Sequence, residues 1–114
     1  MSTFRIQQLN KLILQLLNEH ILRDINMPDG CFVTITKVDT TRDLSLARVT
    51  ISVIPTGRQD SILAYMNRQA GYSQHAIGGK LKVYKVPKLM FYLDTGGSHV
   101  ERVDELIDKI HNEK

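Results

Sequence analysis

Between Phe4 and Arg23 the apolar residues Leu9, Leu12, Ile13, Leu16, Leu17 and Ile21 recur at steps of three and four, with Gln8, Asn10, Lys11, Gln15, Asn18 and Glu19 on the other face. That spacing predicts an amphipathic helix. Ser2 or Thr3 can cap its start, and Met27-Pro28-Asp29-Gly30 is a turn signal that ends it, with proline fixing φ and glycine where the chain reverses. From Phe32 to Val38 the period becomes two, with Val33 and Ile35 on one side and Thr34 and Thr36 on the other. Ala47, Val49, Ile51 and Val53 then alternate with Arg48, Thr50 and Ser52, the pattern of a strand buried on one face. The link from Asp39 to Ser45 is too short for a crossover, so the two strands form a hairpin.

Ile54-Pro55-Thr56-Gly57 leaves the sheet. Asp60 or Ser61 offers an N-cap, and Ile62, Leu63 and Met66 form the apolar side of a short helix reaching Arg68. Gly71 favours a break or kink there, because glycine costs about 1 kcal/mol relative to alanine inside a helix. A second helical piece carries Tyr72, Ala76, Ile77 and Leu81 inward, its end left open by Gly78-Gly79. Leu89, Phe91 and Leu93 alternate with Met90 and Tyr92 as a third strand with two apolar faces, and Pro87 can open it. A turn at Asp94-Thr95-Gly96-Gly97 and a capping box, Ser98-His99-Val100-Glu101, introduce a final helix with Val100, Val103, Leu106, Ile107 and Ile110 inward. The order is helix, strand, strand, broken helix, strand, helix. It gives an α+β domain with a three-stranded sheet and helices on one face, the second and third strands parallel across a helical crossover.

The 114 residues are expected to form one domain, 1–114, with a core that needs no disulfide. Cys31 is the single cysteine, so neither an internal disulfide nor a cysteine zinc site is available, and a reducing compartment suits it. No apolar run has the length of a membrane span, and the N-terminus lacks the features of a signal peptide, so the cytoplasm is the expected location and no membrane is involved. His20, His75, His99 and His111 are scattered away from metal-ligand spacing, and no metal or other cofactor is expected. No nucleophile–base pairing, Walker loop or Gly-x-Ser-x-Gly elbow is visible, so neither an enzyme nor a small-molecule substrate is expected.

Charge changes the picture because it is local. Residues 61–93 hold five Lys and Arg and no carboxylate, 5−0=+5, whereas 94–114 give 3−6=−3. Arg68, Lys80, Lys82, Lys85 and Lys88 therefore have no acidic neighbour in sequence. Such a block attracts a polyanion, although a solvated lysine face is the blander alternative. Gly71 lets another backbone come close, and a helix N-terminus beginning there favours phosphate, unless the glycine only makes room for packing against the sheet. Tyr72, Tyr84 and Tyr92 can stack on unpaired bases, with Tyr72 beside the kink the best placed.

The segments Phe32-Val33-Thr34-Ile35-Thr36-Lys37-Val38, Asp43-Leu44-Ser45-Leu46-Ala47-Arg48-Val49-Thr50-Ile51-Ser52-Val53, Ala70-Gly71-Tyr72, Val86-Pro87-Lys88-Leu89-Met90-Phe91-Tyr92-Leu93-Asp94 and Arg102-Val103-Asp104-Glu105-Leu106-Ile107, in that order, resemble the bacterial ribosome-binding factor A family. The resemblance implies a type II KH-like fold whose glycine loop is replaced by an Ala-x-Gly kink, here Gln69-Ala70-Gly71. It also implies a non-enzymatic, monomeric assembly factor that binds the small (30S) ribosomal subunit and its 16S rRNA and assists 5′-end processing. The RNA-contacting residues expected are Arg68, Gln69, Ala70, Gly71, Tyr72, His75, Lys80, Lys82, Lys85 and Lys88. Gln74 and Gly79 stand where the family carries arginine and lysine, which implies a weaker grip on phosphate. The alternative is a protein-interaction adaptor of the same fold without a specific RNA site.

Overall fold

The computed structural model describes residues 3–94. Along them run α1 (Thr3–Asp24), β1 (Phe32–Thr40), β2 (Leu46–Ile54), a 3-10 turn (Thr56–Arg58), α2 (Gln59–Arg68), α3 (Ala70–Gly78) and β3 (Lys88–Leu93). The sheet order is β1-β2-β3, with β1 and β2 antiparallel and β2 and β3 parallel, so the expected hairpin and crossover are both present. The turn after Asp94, the capping box and the final helix lie outside the described residues.

Ile6, Leu9, Ile13, Leu16, Leu17 and Ile21 of α1 are buried against β1 and α3. Leu12 is exposed rather than inward. At about 100° per residue it sits a quarter-turn or more from Ile13, outside the stripe that Leu9, Ile13, Leu16 and Leu17 share. The centre of that stripe includes His20, which the hydrophobic pattern passes over and which is only 2% exposed. The turn behaves as read: the Cys31 N–H donates to the Pro28 carbonyl at 3.0 Å, and Gly30 takes φ +79°, the left-handed region open to glycine.

In β1 strict alternation places Val38 with the outward threonines, yet Val38 and Thr40 are buried with Ile35. Ile35 pairs with Ile51 and Lys37 with Thr50, so Thr36 is an extra residue in the ladder and reverses the parity after it. The connection to β2 turns through Leu44, fully buried at φ 60°, its N–H donating to the Thr41 carbonyl. After Ile54 a cis bond leads into Pro55 and the 3-10 turn. This turn delivers the chain already helical, so α2 begins at Gln59, and Asp60 and Ser61 lie in its first turn rather than capping it; the Ser61 hydroxyl donates back to the Arg58 carbonyl.

β1 and β3 are the two edges of the sheet, and on each an asparagine bonds the backbone of one residue. Asn18 accepts the Ile35 N–H at 2.9 Å and donates to the Ile35 carbonyl at 3.3 Å. Asn67 of α2 does the same for Phe91, at 2.9 and 3.2 Å. At these two residues the outward backbone groups, which would otherwise template another strand, are satisfied within the chain.

Candidate nucleic-acid interface

α2 and α3 are joined through one residue. Gln69 (φ −88°, ψ 1°) donates its N–H to the Tyr65 and Met66 carbonyls, and its own carbonyl accepts the Ser73 N–H at 2.9 Å. The break therefore falls at Gln69, and Gly71 is the second residue of α3. This corrects the expectation that glycine makes the kink: the bend uses a backbone conformation available to any residue. Nor does Gly71 make room for packing, since a Cβ there would meet nothing within 4 Å. That role belongs to Gly78, where a Cβ would stand 3.3 Å from Val86 Cγ2.

One face of α3 and the chain returning to β3 enclose an open groove of about 520 Å³ lined by Gly71, Gln74, His75, Gly78, Gly79 and Val86. Gln74 Nε2 donates to the Val86 carbonyl at 3.1 Å and so ties the two walls together. At the far end the Lys80 N–H bonds to the Ile77 carbonyl and the Leu81 N–H to that of Gly78, which satisfies late carbonyls of α3. Leu81 is buried, whereas Lys80 stays in solvent beside Gly79. The structure thus brings Gly71 and His75 into one groove, with Lys80 next to it in sequence, and adds Gln74, Gly78 and Gly79, which had not been singled out as RNA-binding residues.

The cations of the basic block are exposed: Arg68, Lys80, Lys82, Lys85 and Lys88. They do not form one cluster around the kink. Arg68 ends α2, with its guanidinium carbon 6.0 Å from the Tyr65 ring centroid. Lys88 opens β3 beside the hairpin, its N–H donating to the Ser45 carbonyl at 3.2 Å. Lys85 also lies toward the hairpin, where its charge contributes to holding the Asp43 carboxyl low. A carboxylate distant in sequence thus enters the field of the basic run. Gln69 and Ala70 are half-buried at the joint.

The three tyrosines separate. Tyr92 is buried and donates to Met90 Sδ at 3.3 Å, which removes it as a base-stacking residue. Tyr84 is exposed on the loop. Tyr72 is 51% exposed rather than inward, its ring tilted 55° against that of His20 at a centroid distance of 5.3 Å. Its neighbour Ser73 takes the buried position instead.

An arrangement absent from the sequence reading lies beneath Tyr72. Ser73 Oγ is 3.0 Å from His20 Nε2, and His20 Nδ1 is 2.9 Å from Asp24 Oδ2. Hydroxyl, imidazole and carboxylate stand in the order used by hydrolases, so the expectation that no nucleophile–base pair exists is corrected. Ser73 is 0% exposed, however, and a nucleophile sealed from substrate cannot attack one. The one sequence signal was the place of His20 on the inward face of α1. Among the described residues no group of three or more His, Cys, Asp or Glu could hold a metal ion, and no helix is long and apolar enough to cross a membrane.

A three-stranded mixed sheet, backed by one helix and a bent helix pair whose second half borders a glycine-lined groove, defines an α+β domain of the type II KH-like class. The family model described as ribosome-binding factor A matches residues 5–107. The chain belongs to that family. It is 38% identical over 95 residues to ribosome-binding factor A of Desulforamulus reducens, covering 82% of this chain and 79% of the relative. With the protein of that name from Halothermothrix orenii it shares 29% over 115 residues, covering 100% and 94%. Among solved structures it is similar to a putative ribosome binding factor A of Thermotoga maritima, with TM-score 0.67, 29% identity, and 86% and 94% of the two chains covered. The Thermus thermophilus ribosome-binding factor A, at 17% identity and TM-score 0.69, covers 77% of this chain and 94% of its own and shares the fold. A model of that Thermus protein has been fitted into a cryo-electron-microscopy map of its complex with 30S.

Proposed function

We propose that this chain is a non-enzymatic assembly factor that binds the small ribosomal subunit through 16S rRNA and assists maturation of its 5′ region. The observation that carries the reading is the exposure of every lysine and arginine in the block 61–93, at and beyond a groove lined in half by glycines. Lysines so placed neutralise phosphates, and the glycines in the groove lining leave places where an RNA backbone or base can approach main chain. Arg68, Gln69, Ala70, Gly71, Tyr72 and His75 supply the part of the surface along the bend, and Lys80, Lys82, Lys85 and Lys88 extend it toward the hairpin. Binding energy is spent on holding one RNA conformation, and no bond is made or broken.

Family membership supports this reading, as does the 30S complex of the Thermus relative. A monomer in the cytoplasm belongs to the same reading, and the asparagine bonds to Ile35 and Phe91 leave one fewer residue on each edge free to pair with a second copy. The test is co-sedimentation with 30S subunits at two salt concentrations, using wild type and the Lys80→Glu, Lys82→Glu, Lys85→Glu triple variant. Wild type is expected to co-sediment and to lose affinity steeply with salt, and the triple variant to be left behind. An unchanged triple variant would overturn the site assignment. The adaptor alternative draws on the exposed cross-strand pair Phe32 and Ile54, and it predicts no salt-dependent RNA affinity beyond non-specific attraction.

A further inference from the structure

His20 and Ser73 are polar groups placed where apolar side chains would pack more simply. His20 is 2% and Ser73 0% exposed, and a buried imidazole or hydroxyl is costly unless hydrogen-bonded. Here the two satisfy each other, and Asp24, on the rim of α1 with its side chain 37% exposed, satisfies the remaining ring nitrogen. A carboxylate only accepts, so in the neutral ring the Nδ1 proton goes to Asp24, and Nε2 is left to accept the Ser73 hydroxyl. The chain of bonds runs from α1 to the first turn of α3, 53 residues away in sequence. A satisfied polar network of this kind fixes one arrangement of the elements it joins, whereas an apolar contact permits sliding.

What it fixes is Tyr72. The tyrosine precedes Ser73, so the Ser73–His20 bond sets the rotation of the turn that carries it, while the His20 ring supports the tyrosine ring from below. Half of Tyr72 remains open to solvent, and the residue before it, Gly71, has no side chain and open space around its Cβ position. A flat partner can reach the ring from that side. We propose that the Asp24–His20–Ser73 chain is a positioning device that pins Tyr72 as the stacking platform for one unpaired base of bound RNA. The inference rests on the RNA-binding reading above and names residues that act from behind its surface. Pinning matters because a stacking side chain that is already ordered loses less freedom when the base arrives.

The experiment uses the full chain and a single-stranded oligoadenylate of about ten nucleotides, within the range such surfaces engage. The sequence has no tryptophan, so Tyr72→Trp places a single indole reporter at the platform. Oligoadenylate is expected to quench its emission, and adding Ser73→Ala to cut that quenching by about half while weakening binding about three- to five-fold. With the native tyrosine, Tyr72→Ala is expected to weaken binding about ten-fold. Ser73→Ala should then add less than about a two-fold effect to Tyr72→Ala, because its influence passes through the ring. Asp24→Asn, at the half-exposed end, is the second variant should Ser73→Ala fail to fold, and is expected to weaken binding about two-fold through the same dependence on Tyr72. Equal losses from Ser73→Ala with and without Tyr72, or no loss in either, overturn the inference and leave the RNA-binding reading standing. A wild-type chain that binds neither oligoadenylate nor 30S subunits overturns both.

Discussion

Asp43 holds Ser45 twice: its Oδ1 accepts the Ser45 hydroxyl at 2.7 Å and the Ser45 N–H at 3.0 Å. The Thr41 hydroxyl donates to the same oxygen at 2.8 Å. These bonds favour the ionised carboxylate, those from Ser45 most, then that from Thr41, with Lys85 adding a smaller attraction, and they lower the Asp43 pKa from 3.8 to about 2. A depressed folded-state pKa contributes stability above the ordinary carboxylate range and loses it as pH falls through the folded value. The stability due to Asp43 is therefore expected to be complete above about pH 4 and to fade toward pH 2. Denaturant titrations across that window should show Asp43→Asn removing part of the slope, and carboxyl NMR should place the Asp43 midpoint near 2. A midpoint near 3.8 would mean that the hairpin network does not persist in solution.

The asparagine bonds at the sheet edges give a second prediction. Replacing Asn67 by alanine leaves the Phe91 N–H and carbonyl without their partner and is expected to cost about 1–3 kcal/mol. Asn18→Ala should cost a similar amount at Ile35, and the two should add, since they sit on opposite edges. Urea denaturation measures the losses. Light scattering should show the double variant associating at concentrations where wild type does not.

Gly71 and Gly30 should respond in opposite senses to alanine. Gly71 is helical with open space at its Cβ position, so Gly71→Ala is expected to stabilise the fold by about 0.5–1 kcal/mol while weakening RNA binding, if main chain there meets the ligand. Gly30 stands at φ +79°, where a Cβ is strained whatever the space, and Gly30→Ala should cost about 1–2 kcal/mol with RNA affinity per folded molecule unchanged. A melting curve and a binding titration on each variant decide both claims.

The basic residues are not equivalent. Each lysine that meets a phosphate adds about 0.7–0.9 to the slope of log affinity against log salt. Lys80→Ala is expected to remove that much. Lys85→Ala should remove less, because Asp43 lies within its field and offsets part of its charge. Filter binding over a salt series measures the slopes, and equal slopes for the two variants would contradict this ordering.

Much of the fold was legible because period and punctuation survive in a linear string. The three- and four-residue steps of α1, the alternation in β2 and β3, and the Pro28–Gly30 turn each depend on neighbours close in sequence. What misled was also local in origin. Thr36 looks like an ordinary outward residue of β1 until the register shift reverses the side on which Val38 emerges. Gly71 looks like a helix breaker, but the bend falls one position before α3 begins, at Gln69. Tyr72 looks like a core residue because of its large ring, but helical spacing puts Ser73, four residues before Ile77, on the inward face, and the small Ser73 is the one that fits against His20.

Among the described residues the sequence alone determined which stretches are helix or strand and the antiparallel pairing of β1 with β2, and it placed the positive charge between residues 61 and 93. These follow from hydrophobic period, short links and residue counts, all of which act over a few positions. The tertiary structure decided which groups meet across long separations: Asn67 with Phe91, Lys85 with Asp43, and His20 with Ser73. No linear pattern encodes those meetings, because each depends on how the chain is returned to itself by the sheet and the bent helix pair. The basic stretch without acids is therefore a property of the string, and its acidic neighbour at the hairpin and its buried support under Tyr72 are properties of the fold.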